Sequence, residues 1–263
     1  MIERQTSADG VVFYRSPLLH ATGVPHGFST RVGGVSEAPF DSLNLGNPNG
    51  CAIQDTLPHI DENYRRLMRA IGCEGLARRW VHQVHGPVVA TVDDRFVNHH
   101  TKADALVTRE PDTVLSIRVA DCVPVLLASD DGRTIGAAHA GWRGVIAGVV
   151  VETLKTMDAP TSRALVAIGP SIGFDNFEVG PEVLDEFRRV FGDAAPVREA
   201  SNGKGFVDLR TAIAMQLERV GVPANRIDTT DRCTVRDRDE FFSHRRDDGV
   251  TGRMAALIAA RRS

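Results

Sequence analysis

Between Pro58 and Gly72 the apolar residues Ile60, Tyr64, Leu67, Met68 and Ile71 recur with a helical period. Pro58 suits a first turn and Gly72 a stop, so the spacing predicts a helix between them. Further along, runs of Val, Ile and Leu broken by Gly, Asp and Pro predict strands over 80–85, 88–92, 105–108, 113–119, 123–128 and 134–138. A helix is expected over 145–157 and another strand over 164–168. Pro181 opens a helix with Val183, Leu184, Phe187, Val190 and Phe191 along one stripe. Asp208 is an N-cap for a helix over 209–220 that Gly221 stops. The segment 253–260 fits helix or strand equally. Ser29 to Asn49 is instead rich in Gly, Pro and turn-forming polar residues, and a stretch so long and irregular is more often functional than idle.

Strands outnumber helices and do not alternate with them. This argues for an α+β class with mixed sheets and against a doubly wound parallel sheet. No repeat or linker interrupts the chain, so residues 1–263 are expected to form a single domain.

Composition narrows the partners. Hydrophobic residues make up 42% and charged residues 25%, enough apolar material for a sizeable core. A net charge of -3 gives no electrostatic reason to expect nucleic acid or an anionic membrane. No apolar run approaches bilayer length, and the polar segment from Met1 to Gly10 lacks a signal-peptide core, so a cytoplasmic protein is expected. Cys51, Cys73, Cys122 and Cys233 lie far apart, which speaks against a disulfide framework in that compartment.

Candidate chemistry collects at predicted strand ends. His82 and His85 lie in Val-His-Gln-Val-His-Gly, Cys122 in Ala-Asp-Cys-Val-Pro, and His139 in His-Ala-Gly-Trp-Arg-Gly. Residues three apart on a strand face opposite ways, so His82 and His85 share a site only if the chain bends. Two imidazoles and a thiolate with an open fourth position suit catalytic zinc, where the ion activates water or polarises a substrate group. By spacing alone the same residues also fit satisfied core or surface positions. Gly136, Gly141 and Gly144 flank His139, and Arg143 stands where a helix is about to start, a combination that suits a phosphate. Arg31, in the loop Ser29 to Gly34, is a second candidate for the same anion.

The order of these blocks resembles the YfiH-type, laccase-domain family. The matching strings are His-Gly-Phe-Ser-Thr-Arg-Val-Gly-Gly-Val-Ser (26–36), Ser-Leu-Asn-Leu-Gly (42–46), Val-His-Gln-Val-His-Gly (81–86), Ala-Asp-Ala-Leu-Val-Thr (103–108) and Ala-Asp-Cys-Val-Pro-Val (120–125). They continue with His-Ala-Gly-Trp-Arg-Gly (139–144), Ile-Gly-Pro-Ser-Ile-Gly (168–173), Val-Asp-Leu-Arg (207–210) and Phe-Phe-Ser-His-Arg-Arg (241–246). The resemblance implies a layered α/β/β/α domain and a zinc site at His85, Cys122 and His139. It also implies phosphorolysis of adenosine, inosine, guanosine and methylthioadenosine, with deamination of adenosine. Two departures stand out: Phe174 to Phe177 replaces a cysteine pair, and Arg236 replaces a further cysteine. Neither position matches a metal ligand.

On that expectation Arg31 and Arg143 clamp phosphate, and Asp121 supports Cys122 or moves a proton. His82 is the other acid–base candidate, and Asn44 and Gln83 hydrogen-bond the base or ribose. His244, Arg245 and Arg246 are further contributors. The expected partners are purine nucleosides and phosphate, with a monomer or homodimer as the working unit. Three rivals compete: a cysteine amidase editing peptidoglycan precursors, with Cys122 as nucleophile and His139 as base; a copper polyphenol oxidase; and a non-catalytic zinc module. Nine histidines without a His-x-His string suit the copper oxidase poorly. A closed structural zinc site wants a fourth protein ligand, and none is evident.

Overall fold

The computed structural model describes residues 1–48, 50–98 and 100–260. Two six-stranded sheets form its centre. The first runs β1 (Glu3–Thr6), β2 (Val12–Arg15), β3 (His26–Ser29), β15 (Met254–Ala259), β7 (Thr113–Val119), β4 (Ala77–Arg79). The second runs β14 (Ile227–Asp228), β10 (Leu165–Ile168), β8 (Val123–Ala128), β9 (Ile135–Ala140), β6 (Ala105–Thr108), β5 (Val89–Val92). Each sheet mixes parallel and antiparallel pairs. A small antiparallel sheet, β11 (Glu178–Val179), β13 (Gly205–Val207) and β12 (Val197–Glu199), lies outside them.

The near-continuous apolar runs follow from burial on both faces of each strand. Along β7 and β15, Leu115, Ile117, Ala256 and Ile258 meet Leu106, Leu126, Ala137 and Ala167 of the second sheet in one core. Their alternates Val114, Ala255 and Leu257 pack instead on α2 (Leu57–Ala70), through Ile60, Tyr64, Leu67 and Met68. The second sheet turns Val107, Val125, Leu127 and Val166 outward onto α3 (Trp142–Ile146), α4 (Val149–Met157), α5 (Pro181–Phe191) and α6 (Leu209–Arg219). The layers are therefore α/β/β/α, as the family resemblance implied, and the sheets are mixed, as the pattern of strands and helices predicted. The short α1 (Pro17–Ala21) is capped by the Ser16 hydroxyl. Among the described residues no helix is long and apolar enough to cross a membrane.

Several elements depart from the pattern. Residues 80–85 are no strand: β4 ends at Arg79, and only a bridge from His82 to Lys102 follows. The helix expected over 145–157 starts earlier and breaks in two, because Gly148 adopts a positive φ of 75° between α3 and α4. The ambiguous segment 253–260 is a central strand, β15, between β3 and β7. The loop after Ser29 carries no helix or strand up to Pro48, and Asn49, its last predicted residue, lies outside the described residues.

Candidate active site

Sheet register assembles the site. In β6 and β9, Ala105 pairs with Ala138, which sets Asp104 beside His139, and the His139 N–H donates to the Asp104 carbonyl at 2.7 Å. On the other side, β8 pairs Pro124 with His139, so Cys122 sits just beyond the strand end next to it. Cys122 belongs to the connection that carries the chain from β7 in the first sheet to β8 in the second. His85 arrives from the loop before β5. The donor atoms of His85, Cys122 and His139 all lie within 4.8 Å of one another, and the two imidazoles meet edge to face at 4.8 Å.

One carboxylate organises two of the three donors. Asp104, fully buried, takes the His139 Nδ1–H at 2.8 Å. It also accepts the backbone N–H groups of Val84, His85 and Gly86 at 3.2, 2.8 and 2.7 Å. Those bonds hold the turn in which His85 adopts a positive φ of 63°, rare for a residue with a side chain. The bend brings His82 and His85 to one cavity despite their spacing. Gly141 completes the fit, because a Cβ there would come within 3.0 Å of the His85 ring and 3.1 Å of the Cys122 sulfur.

The electrostatics suit a thiolate. Burial opposes charge on Cys122, but the His139 charge and hydrogen bonds from both imidazoles prevail and bring its pKa down to about 6. Burial likewise opposes charge on His139, and the thiolate and Asp104 overcome it, raising its pKa to about 9. A thiolate and two oriented imidazoles are a donor set ready for a borderline-soft divalent ion.

The three donors open on a cavity of about 380 Å³ whose polar wall includes Asn47, His82, Gln83, Arg118, Asp121, His244, Arg245 and Arg253. A second cavity of about 190 Å³ shares His85, Asp121 and Cys122 and adds Trp142, Arg143 and Leu209. The Arg143 guanidinium lies 4.3 Å from the Trp142 ring centroid, on a helix of only five residues. Gln83 is pinned by its amide to the Arg118 backbone at 2.8 Å in both directions. Asp121, at a φ of 86°, accepts from the Thr234 hydroxyl and, at 2.7 Å, from the Arg245 N–H.

Three candidates stand elsewhere. Arg31 lines neither cavity: it pairs with the Asp41 carboxylate at 3.0 Å and donates to the Asp41 carbonyl at 2.7 Å. Asn44, fully buried, is bound to Asp55 and to the backbone of Gly46 and Arg253, so it shapes the wall without reaching a ligand. Arg246 is likewise occupied by the Thr234 and Phe241 carbonyls and Asp247. Asp104, Arg118, Arg253 and Asn47 escaped the sequence-based expectations. The first three carried a signal, since each is a lone charge within or beside an otherwise apolar strand run.

Stacked mixed sheets between helical layers, with a candidate three-donor metal site where strands of both sheets end, define the class of protein. The family model described as multi-copper polyphenol oxidoreductase laccase matches residues 25–261, and the chain belongs to that family. It is 40% identical over 237 residues to purine nucleoside phosphorylase YfiH of Escherichia coli, covering 90% of this chain and 93% of that protein. A purine nucleoside phosphorylase of Deinococcus radiodurans is 38% identical over 258 residues, with 96% and 94% covered. The crystal structure of YlmD from Geobacillus stearothermophilus matches with a TM-score of 0.85 at 34% identity over 100% of both chains. Among the described residues His85, Cys122 and His139 are the one group of three donors close enough to hold a metal ion.

Proposed function

We propose that this chain is a zinc-dependent purine nucleoside phosphorylase that also deaminates adenosine. The observation that carries this conclusion is the His85–Cys122–His139 trio on the wall of a cavity of small-molecule size. The names of relatives at about 40% identity support the substrate class. Nitrogen and thiolate donors with room for a further ligand favour zinc. When bound, zinc supplies Lewis-acid polarisation of a substrate or water oxygen.

The chain's own residues set the stage for phosphorolysis of adenosine, inosine, guanosine or methylthioadenosine. A phosphate oxygen bonds to the anomeric carbon as that carbon's bond to the purine nitrogen breaks. The electron pair leaves on the base, which takes up a proton. His82, exposed on the cavity wall, is the proposed donor of that proton. Gln83 fixes the Arg118 backbone, and Arg143 with Trp142 holds the nucleoside from the smaller cavity. Asp121 has a hydrogen bond on each carboxylate oxygen, so its proposed part is to fix Arg245 and the approach to Cys122. In deamination, water adds at C6 and ammonia leaves, giving inosine.

Chromatography of adenosine reactions with and without phosphate tests this function. Adenine plus ribose 1-phosphate is expected with phosphate, and inosine without it. The absence of both products overturns the proposal. One observation favours a second function: Asp104, His139 and Cys122 line up as the orienting carboxylate, base and nucleophile of a cysteine hydrolase. Iodoacetamide separates the two. Metal-loaded protein with Cys122 shielded labels slowly, and much faster after chelation, whereas a free nucleophile labels rapidly in both states.

A further inference from the structure

Arg118 and Arg253 enter the larger cavity from β7 and the start of β15, adjacent strands of the first sheet. Both are half-buried, and among the described residues neither has a carboxylate partner. Arg118 makes no side-chain hydrogen bond among those residues, and Arg253 commits one terminal nitrogen to the Thr251 and Gly252 carbonyls. Burial, and then the Arg118 charge, hold the Arg253 pKa below its ordinary value. Asp121 is the carboxylate on the same wall, and its oxygens are engaged by Thr234 and Arg245. Two like charges kept partly out of water without a counterion destabilise the empty protein.

The fold nevertheless builds this arrangement with care. The Asn44 side-chain oxygen accepts the N–H of Arg253 at 2.9 Å and that of Gly46 at 3.2 Å. A Cβ at Gly46 would come within 2.8 Å of both the Arg118 Cδ and a terminal guanidinium nitrogen, so a larger residue there would push that flexible side chain out of its present position. Asn47, next in the chain, lines the cavity while cross-bonded to the Asp55 backbone in both directions. The irregular loop therefore fixes both arginines and one neutral amide on a single wall. The planar fork of each guanidinium matches the oxygens of a phosphate.

We propose that Arg118 and Arg253, with Asn47, form the seat of inorganic phosphate. That the seated phosphate attacks a nucleoside rests on the function proposed above; the seat itself rests on the two unpaired guanidiniums. Isothermal titration of zinc-loaded protein with inorganic phosphate tests it. Arg118→Gln and Arg253→Gln are each expected to raise the dissociation constant about ten- to a hundredfold. Gly46→Ala, which keeps both charges but crowds Arg118, is expected to raise it by less, and serves if an arginine variant does not fold. Arg31→Gln is expected to leave it unchanged. Unaltered binding in Gly46→Ala and in both arginine variants, or no binding by the parent protein at millimolar phosphate, overturns the seat. So does binding of adenosine 5′-monophosphate through both arginines without any of inorganic phosphate. Phosphate binding that needs both arginines in a protein that cleaves no nucleoside upholds the seat and overturns the phosphorylase. Phosphorolysis with an unaltered phosphate requirement in both Gln variants does the reverse.

Discussion

His26 and His139 are both buried histidines on strands, and they behave in opposite ways. His26, at the head of β3, accepts the Ser16 N–H at Nε2 (2.9 Å), and its Nδ1 donates to the Val24 carbonyl at 2.8 Å. Both nitrogens are satisfied by neutral backbone groups, and burial drives its pKa down to about 4. His139 faces a carboxylate at one nitrogen and the Cys122 thiolate as well, and its pKa rises to about 9 against the same burial. Burial therefore does not tell a structural histidine from a functional one. The charge of its partners does: neutral backbone groups close off both nitrogens of His26, whereas a carboxylate and a thiolate hold a proton on His139 that a metal ion can displace.

Exchanging each histidine for alanine breaks the comparison most sharply. His139→Ala is expected to lose metal affinity by more than the roughly hundredfold that removal of an outer partner costs, with activity falling alongside. His26→Ala is expected to retain its zinc and lose stability only. Elemental analysis and urea unfolding check both, and metal loss in His26→Ala as deep as in His139→Ala would erase the distinction.

The pH dependence of stability gives the next effect. Folded His26 titrates near 4, below its ordinary value of 6.5. Between those values the unfolded chain binds more protons, so the stability is complete above pH 6.5 and is lost as pH falls toward 4. The shift corresponds to roughly 3 kcal/mol at the acid end. Urea titrations at pH 7 and pH 4.5 should show this loss in the parent protein and a smaller one in His26→Gln. An equal loss in both would remove His26 from the account.

A smaller change sharpens the other side. Asp104→Asn keeps the shape of the side chain but removes the charge that orients His139 and gathers the N–H groups beside His85. Metal affinity is expected to drop about ten- to a hundredfold, with the fold intact by circular dichroism. Unchanged affinity in a competition titration would show that register alone orients the ligands.

The layered fold and the donor trio were largely legible in the sequence. Apolar periodicity located α2 and α5, a cap and a stop residue located α6, and short apolar runs bounded by Gly, Asp and Pro located most strands of the second sheet. Residues 80–85 misled, since Trp80, Val81 and Val84 look like a short apolar strand run while Asp104, distant in sequence, pulls the backbone into a turn. Strand β15 was ambiguous because an all-apolar run buried on both faces has no period to read. Arg31 stood out for its glycine-rich setting, yet its charge is taken up by Asp41, which no local pattern reveals. Arg118 was overlooked because a single arginine in an apolar strand gains meaning only from what crosses to meet it.

The most direct test of the central claim is zinc titration into metal-free protein while phosphorolysis of inosine is followed. Activity is predicted to rise in proportion to added zinc and to level off at about one ion per chain, with Cys122→Ala inactive throughout. Full phosphorolysis in verified metal-free protein, or in Cys122→Ala, would contradict the account.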